Sequence, residues 1–212
     1  MKTQKVYFVD EDEKERRACL DVLVELLAND QLTIEAIPPA PDFASYTKLV
    51  ASPDTAAFIL DQRLGSSGLV NYSGIELASF LRGIKTKLPI YILTNYADAE
   101  GEFANQESSV EHIESKRILK NPAGLEAQTF KARFLRHLEV FGDVLAKREN
   151  RFHDLLVKSL KEKLSADEEK ELGLLETERL VPLQAGELHD IKALEKALAE
   201  IRARVKPGDL SL

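Results

Sequence analysis

Ala57-Phe58-Ile59-Leu60-Asp61 decides the fold of this chain. Four apolar residues run directly into one carboxylate, and Gln62-Arg63-Leu64-Gly65-Ser66-Ser67-Gly68 follow at once. A short apolar run cut off by turn residues suits a strand buried on both faces. Its last residue then emerges at the carboxyl end of a sheet, where open α/β sheets place their ligands. Packing explains an acid at that point poorly, so Asp61 reads as a functional carboxylate.

Other strands flank this one. Lys5 to Val9 forms an apolar run closed by Asp10-Glu11-Asp12-Glu13, and a helix follows with Leu20, Leu23, Val24 and Leu27 at helical spacing and Asn29-Asp30 as a stop. Leu32 to Ile37 alternates as a second strand until Pro38-Pro39, and a short helix is expected from Asp42 to Ala51. The stretch after Asp61 is a long loop containing Gly65, Gly68 and Gly74, before a helix over Ile75 to Arg82. Pro89 to Leu93 is a fourth buried strand ending at Thr94, and Val110 to Ser115 a thin fifth one closed by Lys116; the polar segment Asn95 to Ser109 between them is weakly helical. This order predicts an α/β fold: a flavodoxin-like, doubly wound, five-stranded parallel sheet of order 2-1-3-4-5, followed by an α-helical extension.

The extension begins inside the fifth helix. Phe130, Phe134, Leu138, Phe141 and Leu145 form one apolar stripe that Phe152, Leu155, Leu156, Leu160 and Leu164 continue. An unbroken helix of this kind reaches roughly 60 Å at 1.5 Å per residue. Ser165-Ala166-Asp167-Glu168 is a capping box, so a new helix is expected from Ala166 to Leu180, stopping at Val181-Pro182. A last helix, Leu188 to Val205, carries Ile191, Leu194, Leu198, Ile201 and Val205 at heptad spacing, with Lys206-Pro207-Gly208 after it. The expected division is a first domain over 1–146 and a helical hairpin or coiled-coil-like extension over 147–212.

Charge narrows the function. Residues 1–146 hold 16 Lys and Arg against 22 Asp and Glu, and residues 147–206 hold 13 of each. Neither part has the basic excess that phosphate-backbone binding requires, so nucleic acid is not an expected partner. No apolar run approaches the roughly 20 residues of a membrane helix. The start of the chain does not read as a signal peptide, and Cys19 is the single cysteine, which fits a reducing cytoplasm.

The predicted strand ends gather the chemistry. With the first and third strands adjacent, Asp10, Glu11 and Asp61 share one crevice, and clustered carboxylates repel unless a cation sits among them or one keeps its proton. An oxygen-lined site of this kind suits Mg²⁺. Thr94 and Lys116 face the same spot and could hold phosphoryl oxygens. His137, His153 and His189 lack partners at metal-ligand spacing and read as structural or surface residues; Cys19 reads as core.

Val9-Asp10-Glu11, Ile59-Leu60-Asp61, Ile92-Leu93-Thr94 and Ser115-Lys116, in that order on those strands, resemble the receiver domains of two-component response regulators (CheY-like) over residues 3–145. The resemblance implies that Asp61 accepts a phosphoryl group from a histidine kinase or phosphotransfer protein. It implies Mg²⁺ held by Asp10, Glu11, Asp61 and the backbone carbonyl of Arg63, and phosphoryl oxygens held by Thr94 and Lys116. The chain departs from the pattern in having Glu11 where aspartate is commoner and a longer, proline-free loop after Asp61. Lys120, followed by Asn121-Pro122, stays open as an alternative to Lys116, and His112 is the nearest candidate for the switch aromatic. The expected function is a phosphoacceptor regulator, not an enzyme beyond self-phosphorylation and autodephosphorylation, that signals through protein contacts of its extension. A pseudo-receiver adaptor independent of phosphorylation, a phosphate sink, and, less favoured, a Mg²⁺-dependent phosphohydrolase are the alternatives. An output protein or a second copy of the chain, as a homodimer, would meet the extension.

Overall fold

The computed structural model describes residues 3–29, 31–97 and 109–204; beyond residue 185 only the side chains of Glu187, Ile191, Leu194 and Glu195 are described. Five strands, β1 (Gln4–Val9), β2 (Leu32–Ile37), β3 (Thr55–Leu60), β4 (Ile90–Thr94) and β5 (His112–Ser115), form one sheet in the order β2-β1-β3-β4-β5. All four pairings are parallel. This is the predicted flavodoxin-like, doubly wound arrangement.

The central strand shows why the apolar run decides the fold. Every residue of β3 is buried. Phe58 and Leu60 enter a core with Tyr46, Leu77, Leu81 and Ile92 on one face, while Ala57 and Ile59 enter a core with Leu23, Tyr91, Phe130 and Phe134 on the other. Alternate residues of a strand point to opposite faces, so an unbroken apolar run needs two covered faces. The helices α1 (Glu13–Leu26), α2 (Thr47–Ala51), α3 (Gly74–Ile84) and the first half of α4 (Leu125–Lys161) supply that cover.

Several expectations change in detail. On α1 Leu23 and Leu26 are buried, as is Leu27 at its C-cap, whereas Val24 is 49% exposed. A helix lying on a sheet buries a narrow stripe, and Val24 falls just outside it. The second helix opens with a 3-10 turn, Phe43–Tyr46, capped by the Asp42 carboxylate accepting from the Ser45 N–H. β5 starts at His112, not Val110. Lys116 opens a further 3-10 turn, Lys116–Lys120, instead of simply ending the strand. The weakly helical segment expected after β4 falls mostly on residues 98–108, outside the described residues.

The long loop after β3 is packed, which the sequence reading missed. Leu64, Val70 and Tyr72 are buried in the same core as Phe58. The Tyr72 hydroxyl lies 3.1 Å from that of Tyr46 and donates to the Ala40 carbonyl. Gly68 takes φ 76°, a left-handed turn that glycine adopts without steric cost. At Gly74 a Cβ would lie 2.2 Å from the Asp61 carbonyl oxygen, so only glycine lets α3 start this close to the end of β3. Ser73 and Glu76 close a capping box there.

α4 is continuous from 125 through residue 146 to 161. Phe130, Phe134, Leu138 and Phe141 are buried as the stripe predicts, and beyond them Leu155 is buried while Leu156 and Leu160 face outward. The Ser165-Glu168 capping box forms, and α5 (Ala166–Arg204) returns antiparallel to α4. The expected stop at Val181-Pro182 is not there: α5 contains Pro182 and runs on as one helix. Proline removes a hydrogen bond from the ladder, and packing of α5 on α2, α3 and α4 offsets that loss. Of the heptad seam beyond it, Ile191 and Leu194 are exposed; the side chains of Leu188, Leu198, Ile201 and Val205 and the terminator Lys206-Pro207-Gly208 lie outside the described residues.

Two glycines of α3 give opposite expectations. Gly74→Ala should lower stability by about 1–3 kcal/mol through the forced shift against Asp61. Gly83→Ala, where an added Cβ meets nothing within 4 Å, should raise it by about 0.5–1 kcal/mol. Urea unfolding of both variants beside the parent chain checks the pair.

Candidate functional site

Strand register brings the polar groups together. Val9 pairs with Leu60, so Asp10 and Asp61 leave β1 and β3 side by side, and the Asp61 N–H donates to the Val9 carbonyl at 2.8 Å. Thr94 pairs with Ser115, which puts Lys116 one residue beyond the end of β4. Asp10, Asp61, Thr94 and Lys116 are all buried at this end of the sheet.

The Lys116 ammonium sits at the centre. Its Nζ is 2.7 Å from Asp10 Oδ2, 3.0 Å from Asp61 Oδ1 and 2.9 Å from Glu15 Oε2. Lys120, the alternative lysine, is exposed on the far end of the 3-10 turn and does not reach these carboxylates. Burial pushes the Lys116 ammonium down, but Asp61, Asp10 and Glu15 together outweigh burial and hold its pKa above the ordinary lysine value. Burial raises the Asp10 carboxyl above its usual range; the bond from Lys116 opposes this, while the Asp61 charge adds to it. The direction at Lys116 follows from three carboxylates sharing one cation, and that at Asp10 from burial.

Glu15 was not foreseen. Asp12 caps α1 by accepting from the N–H groups of Lys14 and Glu15, and its own N–H donates to Asp10 Oδ1 at 3.0 Å. That bond satisfies the N–H a capping-box glutamate would otherwise reach for, and the Glu15 carboxylate turns to Lys116 and Asn95. The signal available in the sequence was the spacing Asp12-x-x-Glu15 directly behind a strand end.

A backbone N–H and a guanidinium take further oxygens. Asp61 Oδ2 accepts from the Arg63 N–H at 2.9 Å, and Arg16 reaches back to the Asp10 carbonyl at 2.6 Å. Glu11 goes elsewhere: its Oε2 accepts from the Ser67 N–H at 2.8 Å, across the long loop. The Arg63 guanidinium lies 3.3 Å over the Tyr96 ring, joining that loop to the segment after β4. Thr94 Oγ1 accepts from the Tyr96 N–H at 3.3 Å. His112, the switch candidate, is half-buried at the start of β5 and lies 3.2 Å from Glu114. Burial lowers its pKa, with the Arg133 charge adding to that.

For a divalent cation the donor types fit. Asp10, Asp61 and the Arg63 carbonyl are hard oxygen ligands, and three carboxylates around one ammonium leave an excess of negative charge. Glu11, with one oxygen on the Ser67 N–H, is drawn towards the loop and away from this set. Among the described residues no three side chains of His, Cys, Asp or Glu already converge at metal-binding spacing.

This strand order, with polar groups at the carboxyl ends of β1, β3, β4 and β5, defines a flavodoxin-like, doubly wound fold. Among solved structures the chain is similar to a BeF3-activated DrrB receiver domain, at 19% identity over 65% of this chain and 98% of that one, with a TM-score of 0.45. It is similar to a LuxR-family two-component response regulator from Aurantimonas sp. SI85-9A1, at 21% identity over 63% and 86%, TM-score 0.45. A third is a response regulator from Burkholderia pseudomallei with a phosphorylated aspartic acid, calcium ion and citrate, at 16% identity over 75% and 87%, TM-score 0.41. No protein-family model and no curated protein sequence matches the chain.

Removing Lys116 leaves Asp10 and Asp61 adjacent and uncompensated. Lys116→Met should therefore cost about 3–5 kcal/mol of stability at neutral pH. Adding Asp10→Asn to it should recover part of the loss. Chemical denaturation of the single and double variants reads out this coupling, and a Lys116→Met loss below about 1 kcal/mol would contradict it.

Proposed function

We propose that the chain is a response-regulator phosphoacceptor in which Asp61 takes a phosphoryl group from a phosphohistidine of a histidine kinase or phosphotransfer protein. The observation that carries this reading is the buried Asp61 carboxylate held by the same lysine that holds Asp10. An Asp61 oxygen attacks phosphorus, the P–N bond breaks, and its electron pair goes to the departing imidazole nitrogen, which regains a proton. The Thr94 hydroxyl and the Lys116 ammonium bind phosphoryl oxygens, and the Arg63 N–H fixes the orientation of the attacking carboxylate. Mg²⁺, held by Asp10, Asp61 and the Arg63 carbonyl, would neutralise charge on the phosphoryl oxygens when bound. Glu11, whose other oxygen is not taken by Ser67, would add a further carboxylate to it.

Output runs through protein contacts of the helices beyond residue 146, not through DNA, and the setting is the cytoplasm. None of the described helices is long and apolar enough to cross a membrane. The chain carries no activity beyond its own phosphorylation and the hydrolysis of its acyl phosphate.

A second reading rests on a specific observation. Glu11 is spent on Ser67, and Arg63 on Tyr96, so the loop beside Asp61 is fastened at two points. That favours an adaptor whose surface is fixed whether or not Asp61 is phosphorylated.

Intact-protein mass after incubation with acetyl phosphate or a phosphoramidate separates the two. The phosphoacceptor gains one phosphoryl mass only with Mg²⁺, and loses that gain in Asp61→Asn. Thr94→Ala and Lys116→Arg should each slow the gain by about a hundredfold, the scale of one lost charge-stabilising donor. A folded chain that gains no mass from several donors is the adaptor.

A further inference from the structure

An open groove of about 670 Å³ runs between the end of α3 and the two long helices, away from the strand ends that hold Asp61. Ile84, Phe141, Leu145, Val181, Pro182 and Leu183 make it largely apolar. Its size lies within the range of roughly 300–1,000 Å³ typical of small-molecule sites.

The charges in the groove do not balance. Arg148 pairs with Glu178 at 3.0 Å and Arg179 with Glu149 at 3.2 Å, so both arginines are matched. Lys85 and Lys87 also line the groove, and neither has a carboxylate within ion-pair distance among the described residues. Lys85 is the half-buried one. Its Nζ donates to the Thr55 carbonyl at 3.1 Å and lies 5.4 Å above the Phe141 ring. Burial brings its pKa down to about 8, so near neutral pH it is still largely an ammonium. Tying the C-terminal end of α3 to β3 accounts for one of its three donors. It does not account for a partly desolvated cation facing an apolar groove without an anion.

We propose that this groove binds a small apolar monocarboxylate, with the hydrocarbon between α4 and α5 and the carboxylate on Lys85. The apolar walls take the chain, and the ion pair supplies the missing negative charge. The site is independent of phosphorylation at Asp61.

Octanoate, octanol and octylamine are suitable probes for the full-length chain, by calorimetric titration and ligand-observed NMR. Octanoate should bind saturably at one site per chain, more tightly than octanol, and octylamine should not bind. Lys85→Met should weaken octanoate at least tenfold and leave octanol within about twofold, tenfold corresponding to about 1.4 kcal/mol. Leu183→Glu, at an exposed groove position, should weaken octanoate by a like factor without touching the core. Raising the pH from 7 to 10 should weaken octanoate as Lys85 loses its proton and leave octanol unchanged. The other charged groups facing the groove are Lys87, Arg148, Glu149, Glu178 and Arg179. Lys87→Met is the control that assigns the pH effect to Lys85. Octanoate that does not saturate, that binds no better than octanol, or that is indifferent to both Lys85→Met and Leu183→Glu overturns the proposal. If Lys85→Met does not fold, Leu183→Glu and the pH series decide.

Discussion

One ammonium group holds the carboxyl end of this sheet together. Asp10 and Asp61 leave adjacent strands at adjacent register positions, and without a cation their charges would oppose the β1–β3 pairing that places them there. Lys116 resolves that conflict, and its reach to Glu15 draws the first turn of α1 over the same spot. Four elements, β1, α1, β3 and the turn after β5, thus converge on a single nitrogen. Burial makes the arrangement demanding. A desolvated charge must be paired and hydrogen-bonded, and each oxygen of Asp10 and Asp61 has a donor.

The loop after β3 is the second constraint, and it follows from the first. Asp61 is fixed from below by Lys116, so the backbone leaving it is fixed too. Gly74 is what permits the loop to return to the very carbonyl it left. Between those points Leu64, Val70 and Tyr72 anchor the loop in the core, and Glu11 and Arg63 fasten its outer part. A loop with buried apolar anchors is an ordered segment, unlike the mobile connection that its glycine and serine content suggests. The acid after Asp10 is thereby diverted from the crevice to the loop.

How far the sequence could be read follows from which forces are local. The β3 run was legible because an apolar stretch with no polar face admits one environment, and the order of strands and helices then fixed the topology. Asp10, Asp61, Thr94 and Lys116 were legible because each stands at a strand end, where register alone brings them together. Glu15 was legible only as half of an Asp12-x-x-Glu15 capping box; its turn to Lys116 depends on the Asp12 N–H being satisfied by Asp10, a contact between side chain and backbone with no periodic trace. The diversion of Glu11 to Ser67 joins residues 56 positions apart and leaves no pattern either. Pro182 misled for a different reason. Its cost is a local preference, and the packing of α5 on α2, α3 and α4 is a tertiary effect that overrides such preferences.

The long helices show which contacts hold the extension to the sheet. Ion pairs line the α4–α5 seam: Arg151 with Glu171 at 2.6 Å, Lys158 with Glu168 at 2.7 Å, and Arg148 with Glu178 at 3.0 Å. All are at least partly exposed, and such pairs contribute only about 0–1 kcal/mol each. They set the antiparallel register more than they hold it. The holding falls to apolar groups: buried Leu155 and Leu164 near the turn, and half-buried Phe152 beneath the Arg179 guanidinium. At its other end α4 is fastened by Phe130 and Phe134 against Tyr91, whose hydroxyl meets His137 Nδ1 at 2.5 Å. Tyr91 lies on β4, three residues before Thr94. The same helix that closes one face of the sheet is therefore the base of the extension. With no break in α4 between these two anchor points, any displacement of β4 that reaches Phe130 and Phe134 must be carried by α4 as a whole or absorbed by bending it.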